Sequence, residues 1–397
     1  MPAPRDEPRS SHPGGEQRTG ARRPAEPAPR HSVAAYIVHY RAESWCLDTV
    51  AALARSAGVR IQISVVDNSA PSPRLRRELP ADVAVIGADA NLGYAGAANL
   101  AIRHWRGTSP AADWLLLGSH DLLVEPDCVA ELVAAGERSP DFGLLGPVLG
   151  PPTPFWGGVW NGYRAWQRGG PPRVGLPDPD AATAQGDDGG GRRDEPTRAT
   201  AGDGSPEPGE GSRRGASTVG RSGAVATEPV EADWISGTCL LLRRSCVERV
   251  GEFDEDLHSY GEDLDYGLRC WDSGWKVGVV ATAAARGRGS AIAERERLMA
   301  RNGVLFAAKR GGYPGAARAG GFTAALALRL GARSLSPART GEERRLASGR
   351  ARALAAGLCT VTPREVRLFV RKQPAVVSGS RSAGGSPPRR TEGPTGP

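Results

Sequence analysis

Between residues 33 and 121, short apolar runs alternate with helical patterns, and each run leads into polar residues. This alternation narrows the possible folds more than any other feature of the chain. The run "VAAYIV" (33–38) precedes a helix-spaced set, Leu47, Val50, Leu53 and Ala54. The run "IQISVVDNSA" (61–70) is β-branched until Asp67, Asn68 and Ser69, all turn formers. Next, "VAVIG" (83–87) leads into "NLGYAGAANLAIRHW" (91–105), a Gly-containing turn running into a helix. The run "DWLLLGSHD" (113–121) is a fourth strand, and Leu132 and Val133 lie on a helix whose first turn holds Glu125, Pro126 and Asp127. Strands and helices in this rhythm predict an α/β fold, Rossmann-like, with a mainly parallel sheet flanked by helices. His39–Arg41, Asp67–Ser69, Asn91 and Ser119–Asp121 then gather at the carboxyl ends of the strands. In open α/β sheets that edge binds the ligand.

The later chain continues the pattern. Residues 232–257, "ADWISGTCLLLRRSCVERVGEFDEDL", read as a strand and a helix ending near Gly251. "KVGVVATAAARGRGS" (276–290) is another strand with a Gly-rich end, and helical patterning rich in Arg, Ala and Leu runs from 291 to about 372. No internal repeat is visible. Gly (53) and Pro (33) concentrate in residues 1–31, 168–229 and 376–397, which hold almost no apolar runs and are expected to be disordered. The foldable remainder, roughly 280 residues, suffices for one large core. The expected division is a tail (1–31), a first half-domain (32–167), a low-complexity insert (168–229), a second half-domain (230–312), C-terminal helices (313–375) and a second tail (376–397).

Basic residues outnumber acidic ones 51 to 44, and all but Lys276, Lys309 and Lys372 are arginine. The resulting +7, taken as spread over the chain, suits a pyrophosphate substrate or an anionic membrane face. No helix carries a dense basic stripe interleaved with aromatics, so no nucleic-acid partner is expected. The six cysteines show no CxxC spacing and read as buried thiols rather than a disulfide or zinc framework. The N-terminal stretch lacks an apolar core for a signal peptide, and no run approaches the ~20 apolar residues of a spanning helix. The expected location is the cytoplasm, with peripheral contact at the inner face of the membrane compatible with the Arg-rich C-terminal helices, although a solvated charged face is the commoner explanation for such helices.

The stretch "HSYGEDLDYGLRCWDSGWKVG" (258–278) places Glu262, Asp263 and Asp265 beside an apolar stripe. On a helix from about Glu262 to before Gly274, Leu264, Leu268 and Trp271 form the core stripe. Glu262, Asp265 and Arg269 fall on the opposite, solvated face, with Asp265 and Arg269 spaced i,i+4. Asp263 lies on a flank with Gly267 and Cys270, small side chains that leave room for a ligand. The competing reading is simple favourable placement of acids at a helix N-terminus.

These residues, in this order, resemble the GT-A glycosyltransferases of family 2, in particular the bacterial rhamnosyltransferase-like branch. The carriers are "VVDNSA", "NLGYAGAAN", an acidic strand end, the long run "ISGTCLLLRRSCVERVGEFDEDLHSYGEDLDYGLRCWDSGW" and "ARNGVLF" (300–306). The resemblance covers about residues 33–166 and 230–312. It implies a GT-A fold and transfer of a single sugar, with inversion, from a UDP- or dTDP-sugar donor to a hydroxyl on a cell-envelope glycan, a lipid-linked intermediate or a small secondary metabolite. It also implies roles. Asp67, with Asn68 beside it, binds the donor base, whose imide N–H a carboxylate can accept; Asn91, Gly93 and Asn99 line the nucleotide pocket. Asp121, in "GSHD" where the family has a DxD-type motif, holds Mg2+ or Mn2+ on the diphosphate. Strand alternation puts His120 opposite it. Asp263 is the general base for the acceptor hydroxyl.

Two departures bear on this expectation. Ser119 stands where the first acid of DxD would be, and "ARGR" (285–288) stands where the family usually carries a histidine, so that Arg286 or Arg288 is expected on the diphosphate instead. The rival expectation is a nucleotide-sugar-binding partner protein with weak or no transfer activity. No QxxRW motif is present, which disfavours a processive synthase.

Overall fold

The computed structural model describes residues 32–69, 73–109, 112–150, 228–288 and 292–372. The expected disordered tails and nearly all of the expected insert fall outside the described residues.

The first half is the alternating unit expected from the sequence. Strands β1 (Ser32–His39), β2 (Arg60–Asp67), β3 (Ala84–Gly87) and β4 (Trp114–Ser119) pair in parallel in the order β3-β2-β1-β4. Strand β1 is buried on both faces because its side chains alternate between two cores. Val33, Ala35 and Ile37 join the face covered by α1 (Glu43–Ala54) and α4 (Cys128–Arg138). Ala34, Tyr36 and Val38 join the face covered by α3 (Gly93–Thr108). Burial on both faces explains why the run reads as continuously apolar rather than alternating. A short α2 (Pro73–Glu78) seats Leu75 in the first core. Glu125, Pro126 and Asp127, expected in the first turn of a helix, instead follow the short strand β5 (Leu122–Val124) and precede α4.

The second half changes strand direction. Strand β8 (Cys239–Arg243) runs antiparallel to β4 and to β6 (Phe142–Gly150), and β6 pairs in parallel with β9 (Lys276–Gly287). Strands β5 and β7 (Val230–Glu231) add antiparallel pairs on β9. Strand β6, "FGLLGPVLG", has three glycines and a proline, a weak strand signal. Tertiary fit overrides that: a Cβ at Gly143 would lie 2.6 Å from the Cys246 sulfur, and one at Gly146 would run into Ile235. The register shifts at Pro147, where the ladder lacks a donor.

Helices α5 (Arg244–Val250) and α6 (Glu262–Asp272) complete the second face through Cys246, Tyr266 and Cys270. Beyond β9 come α7 (Ile292–Ser334), α8 (Gly341–Cys359) and α9 (Pro363–Arg371). Helix α7 breaks at Gly312, which has φ 63° and ψ −158°, two residues before Pro314. Thr340 and Thr362 start α8 and α9 with reciprocal capping boxes to Glu343 and Glu365. Among the described residues no helix is long and apolar enough to cross a membrane.

Candidate active site

The reversal between β4 and β8 builds the site. Gly118 near the end of β4 pairs with Cys239 at the start of β8, so the loop before β8 lies at the carboxyl edge of the parallel strands. There the Ser119 amide donates to the Thr238 carbonyl at 3.1 Å. Asp121 sits in the turn after β4, and one of its oxygens accepts the Ser119 hydroxyl. Asp263, the second residue of α6, accepts the Gly237 amide at 3.0 Å and its neighbour Leu264's amide at 2.8 Å. Tyr94, near the start of α3, donates its hydroxyl to the Gly237 carbonyl at 2.5 Å. Burial pushes the Tyr94 phenol well up, with the charges of Glu262, Asp263 and Asp121 adding to it. Asp263 is thus tied to the segment Ser236–Thr238 directly, through the Gly237 amide, and Asp121 by way of Ser119, which bonds both it and the Thr238 carbonyl.

The two adjacent acids of α6 differ. Glu262 is 4% exposed, and burial followed by the charge of Asp263 raises its carboxyl well above the ordinary range. Asp263 is only partly buried by side-chain exposure, and burial raises it too, while the Gly237 and Leu264 amides pull it back. Burial thus favours the neutral carboxyl at Glu262, while the two amides favour the charged form at Asp263.

Here the structure corrects the sequence reading of α6. Glu262 and Asp265, expected on a solvated face, are buried, and Asp265 is fully enclosed. The helix is covered on two sides rather than one. Tyr266 and Cys270 face the sheet, while Leu268 and the partly buried Leu264 pack on Phe306 of α7. Asp265 meets Lys309 of α7 at 2.7 Å as well as Arg269 at 2.8 Å. The room expected beside Gly267 and Cys270 is also filled: a Cβ on Gly267 would lie 2.8 Å from the Asp233 carbonyl oxygen. Asp263 opens instead toward the Gly237 loop.

The nucleotide-side residues divide. Asp67 ends β2 beside His39 and accepts the Ser69 amide at 3.1 Å, the turn role its sequence context favours. Asn68 is a buried clasp whose amide donates to Asn91 and to the Gly93 carbonyl, while its oxygen accepts the Leu92 amide at 2.8 Å. Asn91 in turn accepts the Gly93 amide at 2.9 Å. Gly93 has φ 70° and packs so tightly on His258 that any Cβ would collide with it. Asn99, expected in the nucleotide pocket, lies elsewhere: it is buried on the backbone of Phe253, donating at 3.0 Å and accepting at 2.7 Å, and ties α3 to the segment before α6. Arg286, expected on the diphosphate, pairs instead with Glu125 at 3.3 Å beside Ala52, Arg55 and Pro126. Arg288 pairs with Asp48 at 2.6 Å and stands over Trp45, whose ring stacks on His120.

Asn302 and Lys309 on α7 were outside the sequence prediction, because their partners lie more than forty residues away. Asn302 is buried, and its amide donates to the carbonyls of Leu257, Ser259 and Tyr260 at 2.6–2.8 Å. These residues form the loop that delivers α6, in which His258 and Tyr260 both have positive φ, at 58° and 66°. Such backbone persists only when its surroundings over-determine it. Asn302→Ala is expected to destabilise the fold by about 2 kcal/mol, through carbonyls left without a donor. Urea unfolding checks this: the midpoint falls with the slope unchanged.

A mostly parallel sheet flanked by helices, with one acid in the turn after β4 and another at the start of α6 at its carboxyl edge, accords with a GT-A glycosyltransferase fold. Residues 35–165 match the model of Glycosyl transferase family 2, and residues 207–301 match that of Glycosyl transferase family group 2. The chain belongs to the GT-A glycosyltransferases of family 2, and is rhamnosyltransferase-like. It is 26% identical over 226 residues to an N-acetylglucosaminyl-diphospho-decaprenol L-rhamnosyltransferase of Mycobacterium tuberculosis, a match covering 54% of this chain and 62% of that relative. Among solved structures it is similar to a mannosyltransferase from Pyrobaculum calidifontis in complex with GDP-Man and Mn2+, at 15% identity and TM-score 0.46, covering 84% of this chain and 88% of that one. It is also similar to GalNAc-T7 with UDP, GalNAc and Mn2+, at 12% identity and TM-score 0.45, covering 81% and 54%.

Proposed function

We propose that this protein transfers a single sugar, with inversion, from a UDP- or dTDP-sugar to a hydroxyl acceptor on a glycan, a lipid-linked intermediate or a small molecule. The observation that carries this reading is that the Ser236–Thr238 loop joins Asp263, through the Gly237 amide, to Ser119, whose hydroxyl donates to Asp121. The rhamnosyltransferase relative favours a deoxyhexose donor and a lipid-linked acceptor.

Each group has a task. Asp67, at the end of β2, takes the imide edge of the base. Asp263 accepts the proton of the acceptor hydroxyl as that oxygen attacks the anomeric carbon from the face opposite the leaving group. The bond from that carbon to the diphosphate oxygen breaks, and the electron pair departs with the nucleoside diphosphate. Burial raises the Asp263 carboxyl and so strengthens it as a base, while the Gly237 and Leu264 amides favour its charged form. Asp121 and the Ser119 hydroxyl form a hard-oxygen pair that fits Mg2+ or Mn2+ shared with substrate phosphates. No cluster of three metal-ligating side chains exists among the described residues, so the protein would hold the ion only together with the donor. A bound ion would neutralise the developing diphosphate charge. Arg288 suits the diphosphate better than Arg286, exchanging Asp48 for phosphate oxygens.

The test is sugar transfer and donor hydrolysis across UDP- and dTDP-sugars with Mg2+, Mn2+ or EDTA. EDTA is expected to abolish turnover, and Asp121→Asn to weaken metal-dependent donor binding at least tenfold, about 1.4 kcal/mol, by isothermal titration. The lone carboxylate of the "GSHD" turn favours one second reading, a nucleotide-sugar-binding partner protein. Donor binding without turnover on any acceptor would establish that reading instead.

A further inference from the structure

We propose that the outer face of the C-terminal helices docks this protein on an anionic lipid bilayer. The charge of the chain is not evenly spread. Residues 313–372 contain twelve Lys and Arg against three Asp and Glu, a net +9 in a chain whose total is +7. From Arg297 to Gly341 there is no acidic residue at all. The same region holds six of the eight large hydrophobic side chains that are exposed among the described residues, including Phe322 at 48%, Leu328 at 75% and Leu335 at 82%.

The geometry of α7 organises both features. Beyond the break at Gly312, Ala316, Ala319, Thr323 and Leu330 are buried. The opposite face, through positions 314, 317, 321, 325, 328 and 332, is exposed and consists of Pro, Ala, Gly and Leu. Spacings of three and four residues keep these on one stripe. Arg318 and Arg329 lie on its shoulder, both exposed and without an ion pair among the described residues. A soluble helix normally turns acids and bases outward and its small apolar residues inward; this one presents an apolar stripe edged only by arginine. Helix α9 adds Arg364, Arg367 and Arg371 around the exposed Leu368, again a single face by i, i+3, i+4, i+7 spacing. Phe369 on the other side of α9 packs on Ala316 and Ala319, so the two helices belong to one body.

Charge complementarity selects the occupant. An acid-free stripe of Leu and Ala with flanking arginines matches an in-plane helix whose apolar side enters the acyl boundary while its cations meet anionic headgroups. A second copy of the chain would bring the same positive charge against itself. The inference does not depend on the donor or acceptor named above, because it concerns helices that carry neither Asp121 nor Asp263.

The experiment is flotation of the full chain with phosphatidylglycerol-containing vesicles and with pure phosphatidylcholine vesicles, at low and high salt. The expected result is partition to the anionic vesicles, weakened by salt. The double variants Leu328→Glu/Leu335→Glu and Arg318→Glu/Arg329→Glu should each reduce that partition about tenfold or more, with unchanged thermal unfolding. Absence of partition at low salt overturns the proposal, as does partition that neither double variant reduces. A dimer in analytical ultracentrifugation that Leu328→Glu dissolves, with no vesicle binding, also overturns it and assigns the face to a second copy. Transfer to a water-soluble acceptor, assayed without vesicles, is expected to be unaffected by these variants, so failure of docking and failure of the catalytic reading are distinguishable.

Discussion

Asp263→Asn is expected to lower kcat by about two to four orders of magnitude while donor affinity changes little, the range typical of removing a general base. The neighbouring acid supplies the control. Glu262 is buried and raised well above the ordinary carboxyl range, so Glu262→Gln keeps the shape of the side chain and the neutral form that burial favours. That variant should retain activity within about tenfold, since it preserves an acceptor oxygen for the nearby amides. Asparagine at 263 keeps one acceptor oxygen for the Gly237 or Leu264 amide and loses the other, so its thermal unfolding is measured alongside. A dead Glu262→Gln with an active Asp263→Asn would reverse the assignment. In the wild type, kcat/KM should fall as pH drops through a carboxyl pKa above the ordinary aspartate value, because the base must be ionised and burial raises its pKa.

How much of this could be read from the chain depends on how far apart the interacting residues lie. The parallel half of the sheet was legible because each strand is a local apolar run and each polar end marks the same edge. Helix α6 was legible in extent, with Gly274 just past its end, but not in environment. Periodicity shows that a helix has an apolar side; it does not show that α7 returns to cover the other side. That is why Glu262 and Asp265 read as solvated and are buried. Asn99 misled for a related reason. "NLGYAGAAN" shows that glycines permit close approach, but which segment approaches is a tertiary fact, and the answer at Asn99 is the Phe253 backbone. Strand β6 gave no readable signal, since Gly143, Gly146 and Pro147 serve the fit against Cys246, Ile235 and β9 rather than strand propensity.

The second large effect is expected at Lys309, which is 7% exposed by its side chain and lies between Asp254 at 2.8 Å and Asp265 at 2.7 Å. Burial alone would raise both carboxyls. The Lys309 and Lys372 ammoniums reverse that at Asp254, and Arg269 together with Lys309 reverses it at Asp265, so both end below the ordinary aspartate value. Removing one partner of a buried ion pair typically costs about 3–5 kcal/mol, because the other charge is left without compensation. Lys309→Met should fall at the lower end, near 3 kcal/mol, since Arg269 and Lys372 still face the two acids. Asp265→Asn in the same chain should recover part of the loss, and the double-mutant cycle gives the coupling. The pH dependence follows from the direction of the shifts. A carboxylate lowered in the folded state stabilises fully above its unfolded pKa, about 3.9, and that stabilisation is lost as pH falls through the lower folded value. Without Lys309 the burial cost is less well offset, so protonation relieves the variant at higher pH than the wild type. The stability gap between them should therefore be widest near neutrality and narrow as pH falls toward 4, measured by urea unfolding across that range. A gap that does not change with pH would mean that Lys309 contributes by packing its stem against α6, not by holding two buried charges. Because Asp265 is two residues from Asp263, the same network fixes the helix that presents the base, and kcat of Lys309→Met should fall even at temperatures where the variant is fully folded.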